Sequence, residues 1–115
     1  MIAVRMPRRS KYGARPVVID GIRFASTREG KRYAELKLLA KAGEITCLQL
    51  QPKYEVYAGD VKLFTYIGDF QYYTFKGGRD GLGTVIEDVK GVRTPVYRLK
   101  KKIVEAVYNL EIVEV

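Results

Sequence analysis

Short apolar runs with turn residues between them open the chain. Val17 to Ile19 and Ile22 to Phe24 flank Asp20-Gly21, a dipeptide that tolerates positive φ, and together they predict a tight β-hairpin. Ser26-Thr27-Arg28-Glu29 then has the Ser-x-x-Glu form of a capping box, and good helix formers continue to Ala42 before Gly43, so a helix is expected over Thr27 to Ala42. Tyr33, Leu36 and Ala40 recur at helical spacing, and Glu29, one turn before Tyr33, shares their core-facing stripe. A carboxylate in that position needs a reason.

From Ile45 to Tyr57 the period shortens to two. Leu48 and Leu50 alternate with Gln49 and Gln51 until Pro52 interrupts, which fits two short strands or one bent strand. Cys47, between Ile45 and Leu48, reads as a small buried hydrophobe. Val61 to Tyr73 and Val85 to Val89 are rich in β-formers, and the turn material from Lys76 to Gly81 between them predicts a second hairpin. Thr94-Pro95 supplies an N-cap and a first-turn proline. Val96, Leu99, Ile103, Ala106 and Val107 then form an apolar stripe on a helix reaching Tyr108, with Arg98, Lys100, Lys101 and Lys102 on its other face. Leu110 to Val115 reads as a last, buried strand. The order hairpin-α-β-β-β-α-β predicts an α/β fold in which a central mixed β-sheet is flanked by two main helices.

The length of 115 residues and 47% hydrophobic content suit one core, assigned to residues 16–115. Met1 to Arg15 carries Arg5, Arg8, Arg9, Lys11 and Arg15 among Gly, Pro and Ser, and is expected to be a flexible basic arm. A net charge of +8 points to a polyanionic partner. With no histidine and one cysteine, Ser-His and Cys-His nucleophilic pairs, His-based metal sites and multi-thiolate zinc sites are excluded. No run approaches the roughly 18 apolar residues of a membrane span and no signal peptide is recognisable, so a cytoplasmic protein without membrane contact is expected. Carboxylates, lysine and a hard cation remain for chemistry.

Alternation along the strand puts Ile86, Asp88 and Lys90 on one face and Val85, Glu87 and Val89 on the other. A hairpin turning at Gly78 and Arg79 sets Asp69 opposite Asp88. Directly opposed residues have Cβ atoms about 4.5–5.5 Å apart, where two like charges repel unless something sits between them. A divalent cation answers that requirement. Oxygen ligands alone suit Mg²⁺, with Mn²⁺ as substitute, and such ions commonly act on phosphate esters. Lys90 stands where it can orient a nucleophile or stabilise developing phosphoryl charge.

Asp69, then Asp88-Val89-Lys90, with a helix bearing Glu29 upstream and strand-helix-strand downstream, resembles the PD-(D/E)xK nuclease superfamily. The stretches Phe24 to Glu29, Leu50 to Lys53, Ile67 to Phe70 and Glu87 to Gly91 resemble more closely its phage and prophage branch of small endonucleases, with Gly68 in place of the motif's proline. The resemblance implies a restriction-endonuclease-like core. It implies catalytic roles for Glu29, Asp69, Asp88 and Lys90, with Asp69, Asp88 and Glu29 holding Mg²⁺. It further implies a structure-specific DNA endonuclease, most simply a phage Holliday junction resolvase working in the host cytoplasm. Two cuts across a four-way junction require two sites, hence a homodimer.

Other readings stay open at several of these residues. Glu29 as the third residue of a capping box would serve as a helix cap. Gln51 near the site, and Arg8, Arg9, Lys11, Arg98, Lys100, Lys101 and Lys102 beyond it, are candidate nucleic-acid contacts whose plainer roles are a strand end and solvated surface. No nucleotide cofactor is indicated. The alternatives in function are another phage nuclease of nicking, end-processing or homing type, or a DNA-binding module without catalysis.

Overall fold

In the computed structural model, which describes residues 15–75, 83–89 and 91–115, Asp20 and Gly21 both take positive φ, 54° and 75°. They fold β1 (Val17–Ile19) back on β2 (Ile22–Phe24) with Ile19 opposite Ile22, as the dipeptide predicts. Ser26 then caps α1 (Thr27–Lys41), its hydroxyl accepting the Glu29 amide at 3.1 Å. Gly43, at φ 80°, follows the helix end. The arm before residue 15, the turn over 76–82 and Lys90 lie outside the described residues.

Five strands follow between the helices, where the sequence pattern predicts three: β3 (Ile45–Leu50), β4 (Lys53–Ala58), β5 (Val61–Ile67), β6 (Phe70–Thr74) and β7 (Thr84–Asp88). The β-rich run from Val61 to Tyr73 is two strands. Gly59-Asp60 turns β5 back onto β4, and at Gly68 the chain leaves this hairpin for the central sheet. A side chain at Gly68 would come within 2.9 Å of Ile86 Cγ2, so this close approach of the backbone to β7 needs glycine. Pro52 marks the corresponding exit from β3 to β4, the two-strand form of the Ile45 to Tyr57 reading.

The main sheet has the order β3-β6-β7-β8, with β8 spanning Ile112–Glu114. β3-β6 and β6-β7 are antiparallel, and α2 (Pro95–Tyr108) carries the chain across to a parallel β7-β8 pair, giving the mixed sheet expected. A core lies on each face. Phe24, Tyr33, Leu36, Ile45, Phe70 and Tyr72 pack between the sheet, α1 and the first hairpin. Val56, Tyr66, Ile86, Val104, Leu110 and Ile112 pack between the sheet, α2 and the β4-β5 hairpin. The molecule is thus a mixed α/β protein with two helices, and no helix among the described residues is long and apolar enough to cross a membrane.

Two expectations fail. Cys47 is exposed, because a bulge between Thr46 and Gln49 shifts the β3 register and puts Cys47 at φ 56°. The α2 stripe is also largely outside: Val96, Leu99 and Val107 are 61%, 59% and 58% exposed. The helix buries Val104 instead, with Tyr97 and Ile103 beside it, about a quarter turn from that stripe. The reason is the β4-β5 hairpin, whose Tyr54 ring meets Tyr108 edge-on at 4.9 Å and whose Glu55 carbonyl accepts the Tyr108 hydroxyl at 2.7 Å.

Gly83 sets the entry to β7. It has φ 77°, and an added Cβ would fall 2.2 Å from the Thr74 carbonyl oxygen, while its own carbonyl accepts the Thr74 amide at 2.9 Å. Gly83→Ala is expected to lower stability by about 2–3 kcal/mol. The urea midpoint measures it, and a midpoint equal to wild type would refute the close approach.

Candidate active site

The β6-β7 ladder pairs Phe70 with Glu87 and Gln71 with Ile86. The ladder ends there, one step short of the Asp69–Asp88 pairing expected from a turn at Gly78 and Arg79, but the Asp69 side chain still lies within hydrogen-bonding reach of Asp88. Backbone bonds hold this row in place. The Asp69 amide donates to the Glu87 carbonyl at 3.0 Å, the Gln51 amide to the Asp69 carbonyl at 3.0 Å, and the Val115 amide to the Asp88 carbonyl at 3.1 Å. Both aspartates therefore sit on a sheet end fixed from either side.

Asp88 is only 2% exposed, and the Tyr66 hydroxyl donates to its Oδ2 at 2.5 Å. Burial first, then that bond, holds the Tyr66 hydroxyl well above the ordinary tyrosine range. Asp69 is half-buried and its Oδ2 accepts the Val89 amide at 2.6 Å. Burial, only partly opposed by that amide, pushes the Asp69 carboxyl up to about 7, with the charges of Glu29 and Asp88 and a side-chain bond to Asp88 adding to the rise. The two acids and the helix glutamate thus share one neighbourhood. Among the described residues no three acidic or thiol side chains enclose a metal position by themselves. The donor set is all oxygen, and Mg²⁺ is commonly held by one or two carboxylates while water and substrate complete its shell, so the neighbouring pair fits such an ion.

Glu114 on β8 is the register partner of Asp88. Although burial pulls its pKa upward, bonds from Tyr97 and Arg93 and the nearby Lys101 hold it below the ordinary carboxylate value. Arg93 Nε lies 2.9 Å and Lys101 Nζ 3.7 Å from its Oε1. Lys101 is therefore directed at Glu114, and Lys100 sits over the Phe64 ring at 5.4 Å, so these two candidate phosphate contacts are engaged within the fold. Arg98 and Lys102 are exposed. Arg8, Arg9, Lys11 and Lys90 lie outside the described residues. Gln51 adjoins Asp69 through its backbone, at φ 51°, and is exposed.

The opposite face of β7 carries what sequence reading missed. Glu87, 1% exposed, accepts Nε and Nη2 of Arg32 at 2.7 and 2.6 Å and also the Tyr72 hydroxyl. Its carboxylate holds the Arg32 guanidinium above its ordinary pKa. Tyr72 was within reach of the sequence: in the predicted register it is the diagonal, same-face neighbour of Glu87. Nothing local announces Arg32, Tyr66 or Glu114, whose positions depend on how α1, β5 and β8 pack.

Residues 9–113 match the family described as "Protein of unknown function (DUF1064)", and the chain belongs to that family. No curated protein and no solved structure matches the chain.

The raised Asp69 carboxyl has a consequence for stability. Its folded-state pKa lies above the ordinary 3.8, so the folded chain holds this proton more tightly than the unfolded chain. That contribution is complete below about pH 4 and is lost as pH rises toward 7. In metal-free buffer the melting temperature of wild type should fall relative to Asp69→Asn between about pH 4.5 and 7.5. The variant keeps an acceptor for the Val89 amide, and parallel curves would contradict the raised carboxyl.

Proposed function

We propose that this DUF1064 protein is a Mg²⁺-dependent, structure-specific DNA endonuclease with a restriction-endonuclease-like core. The observation that carries the reading is the side-chain proximity of Asp69 and Asp88 at the end of a sheet flanked by two helices, with Glu29 charging the same neighbourhood. Two carboxylates brought together in that position repel, a cost that a hard cation would remove.

Asp69 and Asp88 would hold Mg²⁺, and Glu29 stands on the same side as a further carboxylate. Bound there, the ion would supply charge to polarise a phosphodiester and to acidify the attacking water. The chain's own groups do the positioning. Tyr66 orients the Asp88 carboxylate, and the Val89 amide orients that of Asp69. Lys90, two residues along from Asp88, is the group assigned to hold the nucleophile. The net charge of +8 favours a polyanionic strand and predicts a steep salt dependence of binding. A four-way junction as substrate and a homodimer across it rest on the motif's resemblance and on the need for two cuts.

A second reading, a DNA-binding module without catalysis, is favoured by the near-complete burial of Asp88 beneath Tyr66. Asp88→Asn separates the two. With Mg²⁺, wild type should cut assembled four-way junctions, or else linear or flap DNA if it is another kind of nuclease. Asp88→Asn should lose at least about 100-fold in rate with unchanged DNA affinity. Wild type that binds but never cuts any of these substrates establishes the module. Tyr66→Phe, which removes one hydroxyl, is expected to slow cleavage about 10-fold without weakening DNA binding. A wild-type rate for it would remove the positioning role.

A further inference from the structure

The bulge in β3 strains the backbone, with Cys47 at φ 56°, and it changes one cross-strand pairing beside the candidate site. Ile45 and Thr46 pair with Thr74 and Tyr73, and continuing that register would bring Leu48 opposite Gln71. The bulge brings Gln49 there instead. Gln71 is 9% exposed and its amide is used at both ends: Oε1 accepts the Tyr54 hydroxyl, and Nε2 donates to Gln49 Oε1 at 3.2 Å. This relay occupies the Gln49 carbonyl and leaves Gln49, which is exposed, its two N–H donors to offer. Gln71 also opposes Ile86, which shares its strand face with Asp88, and Asp69, two residues before Gln71, bonds to Asp88 on that face. Gln49 therefore stands one row from Asp69, about 7 Å along the strands.

We infer that Gln49 is a DNA contact whose amide donates to a backbone phosphate oxygen of the strand, next to the phosphate engaged at Asp69 and Asp88. The assignment rests on the endonuclease reading for that neighbouring phosphate, but its own claim is about binding. A glutamine that reads a base uses both halves of its amide, since it pairs with adenine by donating and accepting at once. Gln49 has its carbonyl committed to Gln71, so it offers donors alone, and donors alone suit a phosphate oxygen, which only accepts. Such a contact fixes the position of the strand and ignores its sequence, as cleavage directed by DNA structure requires. The strained bulge thereby gains a purpose, because without it an apolar leucine would hold this place.

The test measures binding of duplexes and four-way junctions of several sequences by fluorescence anisotropy, with Ca²⁺ in place of Mg²⁺ to keep the DNA intact. It compares wild type with Gln49→Glu, Gln49→Ala and Lys41→Gln. Gln49→Glu keeps an acceptor for Gln71 Nε2, so the relay and the fold are preserved while the donors give way to a charge that repels phosphate. It should bind at least about 10-fold more weakly, and Gln49→Ala about 3-fold more weakly, on every sequence. Lys41→Gln makes the same change in net charge as Gln49→Glu, but at the last residue of α1, and should weaken binding less than about 2-fold. Gln49→Glu that binds as well as Lys41→Gln overturns the assignment. A loss confined to sequences that place an adenine at the contact overturns it too, since Gln49 would then read a base. If wild type cuts DNA with Mg²⁺ and the Gln49 variants bind and cut like it, the phosphate contact fails and the endonuclease reading survives. If the affinities fall as stated and wild type cuts no DNA, the contact stands and the endonuclease reading fails. Wild type that binds no DNA contradicts both.

Discussion

A carboxylate with 1% of its surface exposed must have its charge answered on the spot, and Glu87 receives two guanidinium bonds from Arg32 together with the Tyr72 hydroxyl. This clamp ties α1 to the C-terminal end of β7 and ties β7 to β6. Breaking one partner of such a pair leaves an uncompensated buried charge, typically at a cost of about 3–5 kcal/mol. Because its bonds have direction, the clamp sets the angle at which α1 meets β7.

The site follows from that geometry by simple alternation. Glu87 faces α1, so Asp88 must face the other way, toward Tyr66 and Tyr97. The same docking of α1 brings Glu29 to where its charge acts on Asp69. The first turn of the helix thus presents an acid toward the aspartates. One ion pair on the buried face organises the acidic groups at that sheet end.

Much of this was legible along the chain where local chemistry decides. The Asp20-Gly21 turn, the Ser26 and Thr94 caps and the β6-β7 register are choices made within a few residues. What was not legible depends on contacts between distant segments. The β-rich run from Val61 to Tyr73 gives no change of period at Gly68, so the β4-β5 hairpin is hidden. That hairpin in turn rotates the buried face of α2 away from its apolar stripe. The bulge at Cys47 reverses a side chain without any sequence mark. Arg32, Tyr66 and Glu114 belong to the site's surroundings only because three separate elements converge there.

The central claim is that the facing aspartates are a seat for a hard divalent ion. Crystals grown with Mn²⁺ and measured for anomalous scattering examine it directly. The account predicts a peak in contact with the carboxylates of both Asp69 and Asp88, lost in Asp88→Asn crystals of the same form. Well-ordered aspartates at saturating Mn²⁺ with no peak between them, or with the ion bound elsewhere, would contradict it.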